Sequence, residues 1–376
     1  MSHTRPAPAD PVADLVRRAP DRPVLYFEPA ALHAAAARFR AGFPGEVTYA
    51  VKANPAPEVV ETLAAAGLAA FDVASPAEMT LVRGIAPGAV LHYHNPIRST
   101  AEIAEGLRHG ARSWSVDRPG ELRKLDGLPE GTEIAVRLKL PVPGAAYDFG
   151  SKFGAEPAAA AELLRAVAAR GFTPSLTFHP GTQCPDGAAW ARYIHAAADV
   201  ARAAGVTLHR LNVGGGFPSR RDAAAPDLEA IFRAIAEATA AAFDTAPALV
   251  CEPGRALVAD AVTLALRVKA AEDDTVFLND GVYGALGEWR DLPAPGRIGV
   301  HGPDGNPRSG TARGRIVFGP TCDSVDRLPT TLPLPEDLCE GDWLVVPGMG
   351  AYAGALVTGF NGYGARDVVT LSAPAG

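Results

Sequence analysis

The stretch Thr48-Tyr49-Ala50-Val51-Lys52-Ala53-Asn54-Pro55 ends a short apolar, β-prone run on a lysine. Of 35 basic residues only five are lysines, so arginine is the usual choice wherever any cation serves. A lysine here points to amine chemistry: an amine can shed its proton and attack a carbonyl, and a guanidinium cannot. At a strand end it could form a Schiff base with pyridoxal phosphate (PLP); the plainer reading is a lysine reaching solvent. Gly214-Gly215-Gly216-Phe217 allows turns that aim backbone N–H groups at one point, either a phosphate cradle or an ordinary turn. Arg255 could donate to the same phosphate. Glu252 could face a pyridine nitrogen and keep it protonated, or pair with Arg255. His179 could stack on a cofactor ring, or be a hydrogen-bonded core histidine. Cys322-Asp323 puts a proton donor beside an anion, or is a buried cysteine on a turn. His92 and His94 share one strand face; no acidic residue in their segment completes a metal set, so two hydrogen-bonded core histidines are expected.

These residues need elements that gather them. Residues 24–27 read as a strand and 29–43 as a helix. Strands at 47–51, 68–73, 90–93, 112–116, 134–140, 175–178, 208–213 and 248–251 then alternate with helices. Eight such strands are the pattern of a (β/α)8 TIM barrel, whose active site lies at the C-terminal strand ends. Lys52, Asp72, His94-Asn95-Pro96, Asp117, Arg137, His179, Gly214 and Glu252 stand there, one station per strand. Past Asp260 strand follows strand, at 263–268, 275–279, 315–317, 342–346 and 368–371, which predicts an all-β C-terminal domain. The Pro/Gly-rich segment 293–310 reads as an exposed loop, and strand 24–27 as a partner for the C-terminal domain. The expected division is a barrel over 28–261, and a β-domain formed by 1–27 with 262–376.

Composition sets outer limits. A chain of 376 residues is too long for one ordinary core. A net charge of −7 with no basic cluster argues against a nucleic-acid partner. The hydrophobic fraction is an ordinary 48%, and no apolar run approaches the roughly 18 residues of a membrane span. Residues 1–21 have no hydrophobic signal core, so the cytoplasm is the expected location. Cys184, Cys251, Cys322 and Cys339 form no CxxC pair, and neither a disulfide framework nor a zinc site is expected.

Taken together, the motifs resemble the fold-type III PLP-dependent decarboxylases, the ornithine/lysine, diaminopimelate and arginine decarboxylase group. Those motifs are Tyr49-Ala-Val-Lys-Ala-Asn54, Phe71-Asp-Val-Ala-Ser75, His179-Pro-Gly-Thr182, Gly214-Gly-Gly-Phe217, Glu252-Pro-Gly-Arg255, Gly319-Pro-Thr-Cys-Asp-Ser324 and Gly350-Ala-Tyr352, in the family's order. The resemblance implies an alanine-racemase-type barrel followed by a β-domain. It implies that Lys52 is the Schiff-base lysine, that His179 stacks on the ring, and that Glu252 partners the pyridine nitrogen. Thr182, Gly216, Arg255 and Tyr352 match phosphate ligands; Asp72, Arg137, Gly214, Gly215, Pro253 and Gly254 complete the cofactor set. Cys322 matches the acid that protonates Cα, and Asp323 the anion that meets the substrate's distal amine. Both would enter from the second subunit of a homodimer, with Lys152 and Asp326 bridging the subunits. Asp291, rather than Glu288, is the better match for a second substrate acid. Three features depart from the pattern: Arg290 beside Asp291, Asn212 where an acid is common, and Pro180 where valine is usual.

The implied activity is decarboxylation of a basic L-amino acid, most of all ornithine or else lysine, as in polyamine biosynthesis. Three readings stand beside it. One is a decarboxylase for a non-cationic or carrier-tethered amino acid, with Arg290 meeting an acid. Another is a racemase on the same barrel, which would need no Cys-Asp pair. The last is an inactive paralogue that binds a regulatory protein and should have lost Lys52 or Cys322.

Overall fold

The computed structural model describes residues 8–141 and 151–372, in two units. In the first, short, mostly apolar runs such as Ala70–Val73 are buried along their whole length, as strands covered on both faces are. Eight of them form a closed parallel barrel: β2 Glu46–Ala50, β3 Ala70–Val73, β4 Val90–Tyr93, β5 Ala111–Val116, β6 Glu133–Leu138, β7 Thr173–Phe178, β8 Arg210–Asn212 and β9 Ala248–Cys251. Glu46 opposite Val250 and Val47 opposite Cys251 close the ring. The helices start where the sequence stops them from starting earlier: Pro57, Pro76, Pro119 and Pro157 occupy first-turn positions, where a missing N–H costs nothing. Ser99 and Glu102 add a reciprocal capping box to helix Thr100–Arg108.

Two packed features of the barrel prepare the site. Phe217, directly after the three glycines, is buried, with its ring 4.9 Å from Trp190 and 5.3 Å from Phe39. That anchor holds the glycine loop. Inside the barrel, on the strands' N-terminal side, Arg210 Nε lies 3.0 Å from both carboxylate oxygens of Glu133, and its Nη1 lies 2.7 Å from Glu46. Ser175 donates to Glu133 as well, at 2.8 Å.

The second unit is a sheet in which β10 Val262–Glu272 is central; it pairs with β11 Thr275–Leu278 and with β15 Trp343–Pro347. β13 Ala312–Phe318 continues the sheet beyond β11, and β12 Gly299–His301 continues it beyond β15. β14 Leu332–Pro335 forms one edge. β1 Val24–Phe27 runs antiparallel to β10 and parallel to β16 Asp367–Thr370, the pairing expected of it. Leu264, Leu266, Val276, Leu278, Val317 and Leu344 build the core.

Three elements depart from the expectations. The segment 293–310 is not all loop, because Val300 is buried and 299–301 pair with β15. β14 escaped notice because two of its four residues are proline; as an edge strand it tolerates them while Leu332 and Leu334 face inward. Helix Pro11–Arg18 lies in the segment read only as polar, capped by Asp10, with Leu15 packed on Val24, Tyr26 and Trp343. No helix of the described residues is long and apolar enough to cross a membrane.

Candidate active site

A cavity of roughly 220 Å³ opens at the C-terminal ends of the barrel strands, lined in part by Lys52, Asp72, His94, Arg137, His179 and Glu252. Six strands separated by up to two hundred residues deliver these side chains to one place. Lys52 sits in the single turn Val51–Ala53 that follows β2, so its amine emerges at the barrel mouth. Tyr49 braces that turn by donating to the carbonyl of Asn54, at 2.9 Å.

The floor of the cavity is a charged cluster. Glu252 Oε1 receives His94 Nδ1 and Asn212 Nδ2, each at 2.5 Å. Burial pushes the Glu252 carboxyl up, but His94 and Asn212 outweigh it and bring it down to about 2. Burial opposes charge on His94 too, and the same contact holds it above the usual imidazole range. Asp72 is buried, and its Oδ1 makes no hydrogen bond. Burial, then the charge on Glu252, raises its carboxyl to about 7. His179 goes the other way: burial, then Lys52 and Arg137, lowers it to about 3, so its ring is neutral. Its Nδ1 accepts from the Gly181 N–H at 3.1 Å.

One position of Asp72, His94 and Glu252 brings a ligand atom from each within 4.8 Å of the others. The acids that β4 lacked arrive from β3 and from the end of β9. The cations Lys52 and Arg137 line the same cavity and oppose a metal ion there, so the spacing reads better as one end of an organic ligand.

The glycine loop is built for close approach. Gly214 and Gly216 have φ of 69° and 87°. A Cβ at Gly214 would lie 2.1 Å from the Phe178 carbonyl oxygen, and one at Gly216 2.3 Å from that of Gly181. Thr182 is buried, and Gly254 leaves no room for a side chain against Ala53. Pro253 ties the end of β9 to β2 by accepting from the Ala50 N–H at 3.3 Å. Asp117, by contrast, is held by Arg118 and by the Gly154 N–H at 3.0 Å.

A family model described as the pyridoxal-dependent decarboxylase pyridoxal-binding domain matches residues 30–259. The chain belongs to the pyridoxal-dependent decarboxylases. Decarboxylase flvG of Aspergillus flavus is 32% identical over 347 residues, covering 86% of this chain and 80% of that protein. The lysine/ornithine decarboxylase of Selenomonas ruminantium is 32% identical over 335 residues, covering 84% and 81%. Among solved structures, lysine/ornithine decarboxylase from Vibrio vulnificus with cadaverine superposes with a TM-score of 0.81 at 28% identity, covering 96% of this chain and 97% of that one. Lysine decarboxylase from Selenomonas ruminantium gives 0.82 at 29%, covering 96% and 94%. The protein is a PLP-dependent decarboxylase with the barrel and β-domain expected of one.

This decarboxylase's residues fit its cofactor. The cavity offers the Lys52 amine for the aldehyde, a carboxylate held anionic for the ring nitrogen and a neutral imidazole for the ring face. The loop after β8, which only glycines fit, suits the phosphate. The second unit holds the remaining predicted residues. Arg255 makes a two-point ion pair with Glu288, with Nη1 2.7 Å from Oε2, and its guanidinium lies 5.0 Å from the centre of the Tyr352 ring. Tyr352 takes a left-handed φ of 65°. Cys322 is exposed, and both its N–H and its Sγ donate to Asn361 Oδ1, at 3.1 and 3.2 Å. Its alternative reading as a buried cysteine therefore fails. Asp323 accepts from the Tyr283 hydroxyl at 2.7 Å and from the Val325 N–H at 3.1 Å. Asp291 and Arg290 are exposed, whereas Glu288 is engaged by Arg255. Asp326 is buried and already accepts from Val282 and Thr321 within the chain. Sequence reasoning gave Asn361, Tyr283, Ser113 and Asn212 no role at the site, and read His94 as a hydrogen-bonded core histidine.

Proposed function

We propose that this decarboxylase acts on a basic L-amino acid, ornithine ahead of lysine, and releases CO2 and a diamine. The observation that carries this is Asp323. Tyr283 and Val325 hold its carboxyl below the usual range, so it presents a fixed anion for a distal ammonium beside the Cys322 thiol. An unpaired cation brought into a closed site costs several kcal/mol, roughly 3–5 when a partner is removed, so an anion is required there. Arg290, which would favour an acidic side chain if it pointed inward, is exposed, with Nε donating to the Gly287 carbonyl of its own turn at 3.1 Å. Ornithine decarboxylase of Panagrellus redivivus, 31% identical over 348 residues, supports the same choice.

When bound, PLP supplies an electron-withdrawing ring that accepts the electron pair left as CO2 departs. The chain's residues do the rest. Lys52 Nζ is the covalent anchor. Glu252 accepts the ring N–H, and His179 covers the ring without adding charge. Arg137 stays near the carboxylates of the cavity. Thr182, the glycine loop, Arg255 and Tyr352 are assigned to the phosphate. Cys322 Sγ–H delivers the proton to Cα, and Asn361 aims it. We assign Cys322 and Asp323 to the site of a second subunit in a cytoplasmic homodimer.

Holoenzyme given ornithine, lysine, arginine, diaminopimelate or glutamate in turn should release CO2 with the highest kcat/KM for ornithine or lysine. A preference for glutamate would overturn the basic-substrate reading.

A further inference from the structure

Two buried histidines in the barrel have no part in the chemistry above. His94 Nδ1 meets Glu252 Oε1 at 2.5 Å, and its Nε2 lies 2.9 Å from Ser113 Oγ. Ser113 Oγ in turn lies 2.7 Å from His92 Nδ1. Glu252 is an anion, so His94 Nδ1 donates to it. Burial lowers His94, but Glu252 and Asp72 outweigh it and raise it above the usual range, which favours a proton on Nε2 directed at Ser113. Burial keeps His92 well below that range, so neutral His92 accepts from the Ser113 hydroxyl. The His94 ring is held at both nitrogens, whereas the Nε2 of His92 has no hydrogen-bond partner among the described residues.

The consequence falls on Glu252. His94 and Asn212 both contact Oε1, and no described residue bonds Oε2. A carboxylate gripped through one oxygen has its second oxygen fixed in direction. We infer that His94, braced by Ser113 and His92, is a positioning residue that clamps Glu252 by Oε1 and reserves Oε2 for the cofactor's ring nitrogen. The inference rests on the PLP reading of this site and is independent of which amino acid is the substrate.

The test measures cofactor binding, without substrate, on full-length protein stripped of PLP and titrated with PLP. His94→Ala should raise the Kd for PLP at least tenfold and move the visible absorption maximum, with the melting curve of the cofactor-free protein still cooperative. His94→Asn places an amide nitrogen where Nδ1 stands and keeps the Glu252 contact without the ring. It should recover most of the affinity and the native absorption maximum. Either of two results overturns the proposal: His94→Ala binding PLP within twofold of native with an unshifted band, or His94→Asn behaving no better than His94→Ala. Should the amino-acid panel fail instead, this result would stand unchanged.

Discussion

Replacing Asp72 by asparagine should stabilise the cofactor-free protein at alkaline pH and leave it unchanged in acid. Asp72 is buried with an unbonded oxygen; burial and Glu252 raise its carboxyl from an ordinary 3.8 to about 7. The unfolded chain gives up this proton near pH 4, while the folded chain keeps it to about pH 7. Between those values the folded state binds more protons, so stability falls as pH rises, and above pH 7 the full penalty is present. A carboxyl titrating about three pH units late, at 1.36 kcal/mol per unit, costs about 4 kcal/mol. That is a large share of the roughly 5–15 kcal/mol by which proteins are stable. An asparagine of the same size has no charge to lose. Denaturant midpoints of cofactor-free native and Asp72→Asn proteins, followed by tryptophan fluorescence at pH 8 and pH 4, measure the difference. The variant should gain up to about 4 kcal/mol at pH 8 and almost nothing at pH 4. Equal stability at pH 8, or an equal gain at both values, would refute the reasoning.

Arg210→Met leaves Glu133 buried without its cation and should cost about 3–5 kcal/mol by denaturant titration; a loss below about 1 kcal/mol would count against the ion pair. Burial raises the Glu133 carboxyl, but Arg210 and Ser175 outweigh it and hold it low, so this contribution should fade as pH falls through that lowered value. Mixing inactive Lys52→Ala with inactive Cys322→Ala should restore activity through heterodimers with one intact site; no recovery after verified subunit exchange would mean each chain builds its own site. Asp323→Ala should raise KM for ornithine and lower kcat/KM at least about a hundredfold, roughly 2.7 kcal/mol, with the cofactor band intact.

The barrel was legible because parallel strands buried on both faces are mostly apolar runs, as at Val90–Tyr93 and Ala248–Cys251. Strands hidden among prolines and glycines were not, since Val300 is a single buried residue in its run and Leu332 and Leu334 alternate with prolines. Lys52 stood out because lysine is rare here and stands at a strand end. The part of His94 was invisible for a different reason. Its carboxylate partner lies 158 positions away, and only closure of the barrel brings them together. Asn361 is similar: it meets Cys322 across 39 positions. Spacing within one segment carries no trace of either contact.

Reduction of the holoenzyme with borohydride, followed by peptide mapping, tests the assigned site most directly, because two lysines, Lys52 and Lys152, line the cavity. The account predicts that the reduced cofactor is found on the Lys52 peptide, and that Lys52→Ala carries none and lacks the visible band. A cofactor fixed to Lys152, or to Lys139 beyond the end of β6, would contradict it.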